Sequence, residues 1–528
     1  MKACIKSGPL VIVLSLLFAT LLLIASGPHG LGGFPLDDAW IHMVYGRSVS
    51  TSGYLAYNAG IPATGSTSPL WAYLLGLIHV VFKKTSVIVL VVKMTGMAMH
   101  SLAAWACYRI LKKFQLPSIV SMIGGVILGF SPALVAASIS GMEIPLGCSL
   151  CLLGFERLME KKHMTAGLLF GLSGLARPEY GLVIVVLMGG MGLQILKKKM
   201  PGKDLILFAC PVAIAGFLFI GWNVFVAGRP FPATFYVKSR YYAHFPFLDR
   251  ILIALKMITS DAPLAGGVAW LGLLGPAVSK EPARRWFYLF LISALSYAAG
   301  QITIMPPADP QAFYHIRYLL PVIPLFWIPL VAGVWALITY FRDQVSGARG
   351  KIMAGGVVVI FLSATAFFLI FGTISWRAKF ANDCRNIDEV QVELGQAIDN
   401  TLPAGARIGT VDAGAIKYFG RHYTVDLMGL NTPDVLQGRT PSLDALVLMP
   451  AWVQWPLDHG LEEVGRRSTL DYWVTSNPAM NTQIVMACRA GVKNSEISLR
   501  ISGRKVNVLM KGMSDAQIKE LENLLKDH

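Results

Sequence analysis

The sequence predicts a polytopic α-helical membrane protein of about eleven transmembrane helices, ending in a small extracytoplasmic α/β domain. Two observations carry this. Of 528 residues, 54% are hydrophobic and only 14% charged, well under the roughly 25% charged that is typical of soluble domains. Apolar stretches of about 20 residues, each long enough to cross a hydrocarbon core of about 30 Å, recur from the N-terminus to about residue 374. Beyond that point the pattern becomes amphipathic helix and strand. A formal charge of +16 would suit nucleic acid. The basic residues, however, form short clusters between apolar spans, where orientation towards the cytoplasm explains them. Nucleic acid is not an expected partner.

Residues 1–26 combine a basic start with an apolar run. The run is long and no A-x-A site follows it, so it reads as an uncleaved first helix rather than a signal peptide. Lys2 and Lys6 place the N-terminus in the cytoplasm, and the first helix then delivers "GPHGLGGFPLDDAW" to the far side. The short piece "SPLWAYLLGLIHVVFKK" from Ser68 reads as a juxtamembrane or re-entrant helix. With that choice the basic clusters at 111–114, 156–163, 197–199, 279–285 and 341–351 all fall on the cytoplasmic side. The predicted crossings are 9–26, 86–110, 118–137, 144–159, 164–178, 180–196, 204–226, 262–278, 286–305, 318–341 and 352–374. "FPFLDRILIALKMI", 245–258, reads as an interfacial helix or a connector packed on the bundle.

Residues 1–378 thus form the membrane domain and 379–528 the soluble one. The soluble part alternates helix and strand: "NIDEVQVELGQAIDNTL", "ARIGTVD", "AGAIKYFG", "HYTVDLMG", then "LDYWVTS", "TQIVMACR", "ISLRIS" and "KVNVLMK" as strands, with a closing helix capped by Ser514. It has no phosphate-binding glycine pattern. Asp412 and Asp426, at strand ends, read mainly as turn and cap residues, with glycan binding as the alternative. Cys384 and Cys488 both lie in this part, where an extracytoplasmic location permits a disulfide.

The outer face collects mixed-sign charge from five loops: Asp37, Asp38 and His42; Glu143; Arg177 and Glu179; Arg229, Tyr236, Lys238 and Arg240; and Tyr314, His315 and Arg317. Ionisable groups at helix ends near a membrane are candidate functional residues. A carboxylate with cations converging on it suits transfer of a group from a lipid-linked phosphate. The base takes a proton from a hydroxyl, and the cations stabilise the charge that builds on the departing phosphate. His315 and Arg317 are the first phosphate candidates, since Arg grips phosphate bidentately; Lys238 and Arg240 are the second. Each has a structural alternative. Asp37 can cap its own helix and Asp38 can favour the first turn through the dipole. Glu143 can cap, Arg177 can pair with Glu179, and the basic residues can anchor at headgroups. A transporter or lipid-linked glycan flippase is the competing function, for which Lys93 and His100 lie inside a predicted crossing. A non-catalytic envelope scaffold is a third, and it leaves the paired aspartates unexplained.

Six segments, "PLDDAWIHMVYGRSVSTSGYLAYNAGIPATGSTSPLWAYLLGL", "SGMEIPL", "GLARPEYG", "GRPFPATFYVKSR", "YHIRYLLPVIP" and "DAGAIKYFGRHYTVDLMGLN", resemble, in the same order, segments of bacterial GT-C superfamily integral-membrane glycosyltransferases. The nearest likeness is to the branch of the mycobacterial terminal arabinofuranosyltransferases. The resemblance implies a GT-C fold, an aspartate of the first outer loop (Asp37 or Asp38) as catalytic base, and a polyprenyl-phosphate sugar donor whose phosphate meets His315 and Arg317. It further implies an extracytoplasmic acceptor, which is a polysaccharide, glycolipid or protein, and a bacterial inner-membrane location. No cofactor is required by these motifs; Asp37, Asp38 and Glu143 are candidates to hold a divalent cation, which some members of the superfamily use.

Overall fold

The computed structural model describes residues 7–241, 246–260, 268–304, 316–345, 347–402 and 404–436. It also describes residue 443 and the short strand segments 445–448, 485–489, 496–501, 504–509 and 512–513. Tyr314 and His315, the strand expected at 470–476 and the closing helix after Ser514 lie outside the described residues.

Among the described residues six helices are long and apolar enough to cross a membrane. They are Ser7–Ala25, Thr85–Lys113, Gly202–Ala227, Ala283–Thr303, Val322–Gln344 and the long run that starts at Gly347. The pair Ser118–Gly129 and Pro132–Ser138, bent by 60°, passes the same test as one broken span. Ile144–Met159, His163–Ala176 and Tyr180–Leu196 coincide with predicted crossings but have only 16, 14 and 17 residues. At 1.5 Å per residue they reach roughly 21–26 Å. The crossing expected at 262–278 is different: its described part is a 3₁₀ helix, Val268–Leu274, followed by the four-residue Gly275–Val278. A Cβ at Gly272 would collide with the backbone of Leu330, and one at Gly275 with Gly333. The segment is shaped by close contact with the helix Val322–Gln344 rather than by bilayer thickness.

Many large apolar side chains on the long helix Gly347–Ile387 face outward as far as Ile374, while Ala354 is buried and Phe361 stacks on Trp327; beyond them Phe380 and Cys384 are buried. At 41 residues it is roughly 60 Å long, about twice the hydrocarbon core, and it leads from the bundle into the C-terminal part. There it continues through a π-helical turn, Asp388–Val392, into Glu393–Thr401. A five-stranded sheet follows, in the order Tyr423–Asp426, Arg407–Thr410, Ala445–Leu448, Val485–Arg489, Gly512–Met513. The first three strands are parallel, with Thr410 opposite Asp426 at their carboxyl ends. Cys384 is buried and its thiol donates to the Gly33 carbonyl at 3.8 Å; the side chain of Cys488, its candidate disulfide partner, lies outside the described residues.

Two short helices lie between bundle and sheet: Asp37–Ser52, which begins in the first charged loop, and Pro69–Val81. They pack closely because Gly46 sits on Leu75 and Gly76 on Val49. At 13 residues, Pro69–Val81 is too short to span. Lys93 donates to the Ile139 carbonyl at 2.8 Å and lies over the rings of Phe34 and Phe380. His100 bonds the Gly129 carbonyl at 3.1 Å. Both intramembrane ionisable groups are thus bonded to backbone.

Candidate functional site

All five charged loops contribute to a cavity of about 400 Å3. Asp38, His42, Glu143, Arg177, Glu179, Lys238 and Arg317 all line it. Arg240 belongs to the helix Ala233–Tyr241, but its side chain lies outside the described residues. Tyr236 is not among the lining residues and sits under the Arg229 guanidinium at 5.1 Å.

The first turn of the helix Asp37–Ser52 separates the two aspartates, as a rotation of about 100° per residue requires. Asp38 points into the cavity, its side chain 32% exposed, and pairs with Arg317 Nη2 at 3.1 Å. Arg317 is itself buried. Its Nη2 also donates to the Tyr318 hydroxyl at 3.0 Å, and Lys238 Nζ donates to the same oxygen at 2.9 Å. Two cations therefore meet at one hydroxyl beside one carboxylate. Burial alone would raise the Asp38 carboxyl, but Arg317 and then Lys238 outweigh it and hold the group below its ordinary value. Asp38 is ionised at neutral pH.

Asp37 points the other way. Its Oδ2 accepts the Gly414 amide and its Oδ1 the Ala415 amide, both at 2.6 Å. It therefore caps the helix Ala415–Gly420 of the soluble part. Its own helix has Leu36 at the N-cap, with no side-chain cap bond.

A second set of charges forms the facing wall. His42 Nε2 lies 3.1 Å from Glu143 Oε2, Glu143 Oε1 is 3.0 Å from Arg177 Nη1, and Arg177 Nη2 is 3.4 Å from Glu179 Oε1. Glu143 occupies an N-cap position without capping; its carboxylate is spent on His42 and Arg177 instead. Burial opposes its ionisation, yet Arg177 and His42 bring it down to about 2.

The divalent-cation set does not assemble. Asp37 faces the soluble part, Asp38 faces Arg317, and Glu143 is enclosed between His42 and Arg177. No group of three or more His, Cys, Asp or Glu side chains fit to hold a metal occurs among the described residues.

Several further lining residues lie within the segments that carry the resemblance but were not singled out by charge or residue type. Gly65, Ser66 and Thr67 come from the loop before Pro69–Val81, and Thr234 donates to the Gly65 carbonyl at 3.0 Å. Leu430 and Asn431 come from the soluble part. Asn431 is held by Asp426, whose Oδ2 accepts its amide and its side chain at 2.9 and 2.8 Å, and it accepts from Tyr45 at 3.0 Å. Asp426 does turn-building work here. A separate apolar cavity of about 550 Å3, lined by residues such as Ile251, Leu255, Leu295, Ala299 and Ile302, lies along the same helix, Ala283–Ile304, that brings Gly300 and Thr303 to the polar one.

Residues 385–502 match a family described as a domain of unknown function, DUF8728. No curated protein sequence matches the chain. Solved structures share its fold. ArnT from Cupriavidus metallidurans bound to undecaprenyl phosphate superposes with a TM-score of 0.54 at 13% identity, over 92% of this chain and 98% of that one. ArnT in the apo state gives 0.51 at 12%, over 89% and 97%. The oligosaccharyltransferase of Archaeoglobus fulgidus in the apo form gives 0.52 at 11%, over 84% and 69%. These are GT-C superfamily glycosyltransferases, and at such identities the likeness is one of fold.

Proposed function

We propose that the protein is an inverting glycosyltransferase that moves one sugar from a polyprenyl-phosphate donor to an acceptor hydroxyl outside the cytoplasm. The observation that carries this is the meeting of Asp38, Arg317, Lys238 and Tyr318 in one cavity among helices of a GT-C fold. One of the fold's relatives was solved with undecaprenyl phosphate bound. The donor phosphate docks on Lys238 and Arg317, with its prenyl chain in the apolar cavity beside them. Asp38 accepts the proton of the acceptor hydroxyl, whose oxygen attacks the anomeric carbon from the face opposite the phosphate. The bond from that carbon to the phosphate oxygen breaks, and its electron pair leaves with the polyprenyl phosphate, where the two cations meet the new charge. Arg317 serves both partners: turning towards the donor phosphate loosens its hold on Asp38 and makes the carboxylate a better base when the donor is present. His42, Glu143, Arg177 and Glu179 hold the sugar and the acceptor from the facing wall. His315 and Arg240 are further phosphate contacts in this scheme, and Tyr236 and Tyr314 flank the sugar.

The same reading places the N-terminus in the cytoplasm and the soluble part on the outer side of a bacterial inner membrane. The acceptor is a polysaccharide, glycolipid or protein. The motif likeness to arabinofuranosyltransferases brings pentofuranosyl donors into the test beside hexosyl ones. Purified protein incubated with a panel of polyprenyl-phosphate sugars and envelope acceptors is expected to transfer one sugar and release polyprenyl phosphate. Transport of intact lipid-linked glycan with no transfer from any donor would overturn the proposal.

A further inference from the structure

The C-terminal part meets the first outer loop along residues 37–58, and the bonds there are specific. Asp37, only 5% exposed, spends both carboxylate oxygens on the Gly414 and Ala415 amides. Asp412 is hydrogen-bonded to it and is held in turn by Gln391 Nε2 at 2.6 Å. Tyr57 donates to the Ala413 carbonyl at 2.7 Å, Asn58 to the Thr424 carbonyl at 2.8 Å, and Arg47 to the Tyr418 carbonyl at 2.8 Å. Trp40 packs on Tyr418 and Phe419. From the same side, Leu430 and Asn431 form part of the cavity wall. The carboxyl ends of the parallel strands, the edge at which open α/β sheets build their sites, are thus turned towards the first outer loop.

From this geometry we infer that the C-terminal part is a working component of the site: by clamping Asp37 it fixes the direction in which Asp38 points, so Asp37, Asp412 and the Gly414–Ala415 turn are positioning elements. The inference rests on the reading of Asp38 as the base. Asp38 lies in the first turn of its helix, where backbone amides lack intrahelical partners and where Leu36 provides no side-chain cap. The direction of that turn has to be held from outside, and the clamp is one residue away. An anchor alone would be cheaper without charge, because a buried carboxylate is costly unless paired and hydrogen-bonded. Burial first, and the neighbouring Asp412 second, push Asp37 well above the usual carboxylate range, which favours a proton shared between the two carboxyls. The region of unknown function thereby acquires a role: it completes and orients a site whose chemistry is supplied by the membrane part.

The test compares Asp38→Asn, Asp37→Ala, Asp412→Asn and Gly414→Ala in the purified full chain, with the donor that the wild type uses. A Cβ on Gly414 would lie 2.7 Å from the Asp37 carboxylate carbon and closer still to its backbone oxygen. Gly414→Ala therefore displaces the clamp while leaving both aspartates intact. A misplacement of about 1 Å costs about 100-fold in rate, so each clamp variant is expected to lose about that much kcat with the donor KM little changed. The acid limb of the kcat/KM profile moves to higher pH as Asp38 drifts from Arg317. A purely structural anchor would lower yield and Tm and leave the pH limb of the folded fraction where it was. Wild-type kcat and pH limb in any folded clamp variant, with Asp38→Asn inactive, overturn the positioning role alone. Wild-type activity in Asp38→Asn overturns the base reading beneath it.

Discussion

Arg317 is the side chain on which the proposed chemistry turns twice, so its removal has a signature of its own. In Arg317→Ala the donor phosphate loses a charge-assisted contact, which is worth about 1.5–3 kcal/mol. At about 1.4 kcal/mol per tenfold this is a loss of about 10- to 150-fold in kcat/KM. The lower half of that range applies if Lys238 and Tyr318, which share the hydroxyl contact, take over part of the phosphate. The second effect is on Asp38. Its carboxyl is held low by Arg317 first and Lys238 second against the pull of burial. Without Arg317 burial gains weight, the carboxyl rises, and a base that must be deprotonated fails at a higher pH than in the wild type. The acid limb of kcat/KM therefore moves upward, and Arg317→Lys, which keeps the charge but not the planar fork, falls between. The assay is release of polyprenyl phosphate across the pH range at subsaturating donor. A variant that loses rate with its acid limb unmoved would refute the coupling between the two groups, and one with unchanged kcat/KM would refute the phosphate role.

Three further outcomes follow. Glu143→Gln leaves His42 and Arg177 buried without their shared charge, and breaking a buried pair costs about 3–5 kcal/mol; thermal unfolding in detergent should show a marked fall in Tm. Burial, and then Arg47, lower Lys417 to about 7. Because the folded state then binds its proton less tightly than the unfolded one, stability should increase from about pH 7 towards the ordinary lysine value, a rise that Lys417→Met should lack. That window is separate from the one set by Asp426, raised to about 6 chiefly by burial, whose effect is a loss of stability as pH climbs from the ordinary carboxylate value to about 6. Finally, a topology reporter at Lys112 is expected on the cytoplasmic side, and an extracytoplasmic signal there would contradict the proposed orientation.

What could be read from the chain alone, and what could not, divides along physical lines. Apolar runs mark helices well, because a span is recognised by composition. Their lengths and bends depend on neighbours: Gly272 and Gly275 look like any membrane glycines until the backbones of Leu330 and Gly333 are seen against them. Charge on the outer loops identified Asp38, His42, Glu143, Arg177, Glu179, Lys238 and Arg317 as a group, and these do line one cavity. A charge in an apolar chain needs a partner, and residue type reveals that. The partner itself stayed hidden. Glu143, read as a substrate-orienting residue or a helix cap, joins His42 to Arg177; Asp37, read as a base candidate or a cap for its own helix, caps one nearly 380 positions later. Asn431, Leu430 and the Gly65–Thr67 loop lie in segments that carry the resemblance, but uncharged turn residues gave no reason to assign them to the site until folding brought them to its wall.

The most direct test of the central claim is a single-turnover comparison of wild type and Asp38→Asn, each loaded with the same polyprenyl-phosphate sugar. Native mass spectrometry monitors bound donor and released polyprenyl phosphate. The account predicts that Asp38→Asn binds the donor, since Lys238 and Arg317 are intact, and releases no polyprenyl phosphate when acceptor is added, while the wild type releases it and forms product of inverted anomeric configuration. Release from Asp38→Asn at the wild-type rate, or a wild-type product of retained configuration, would contradict it.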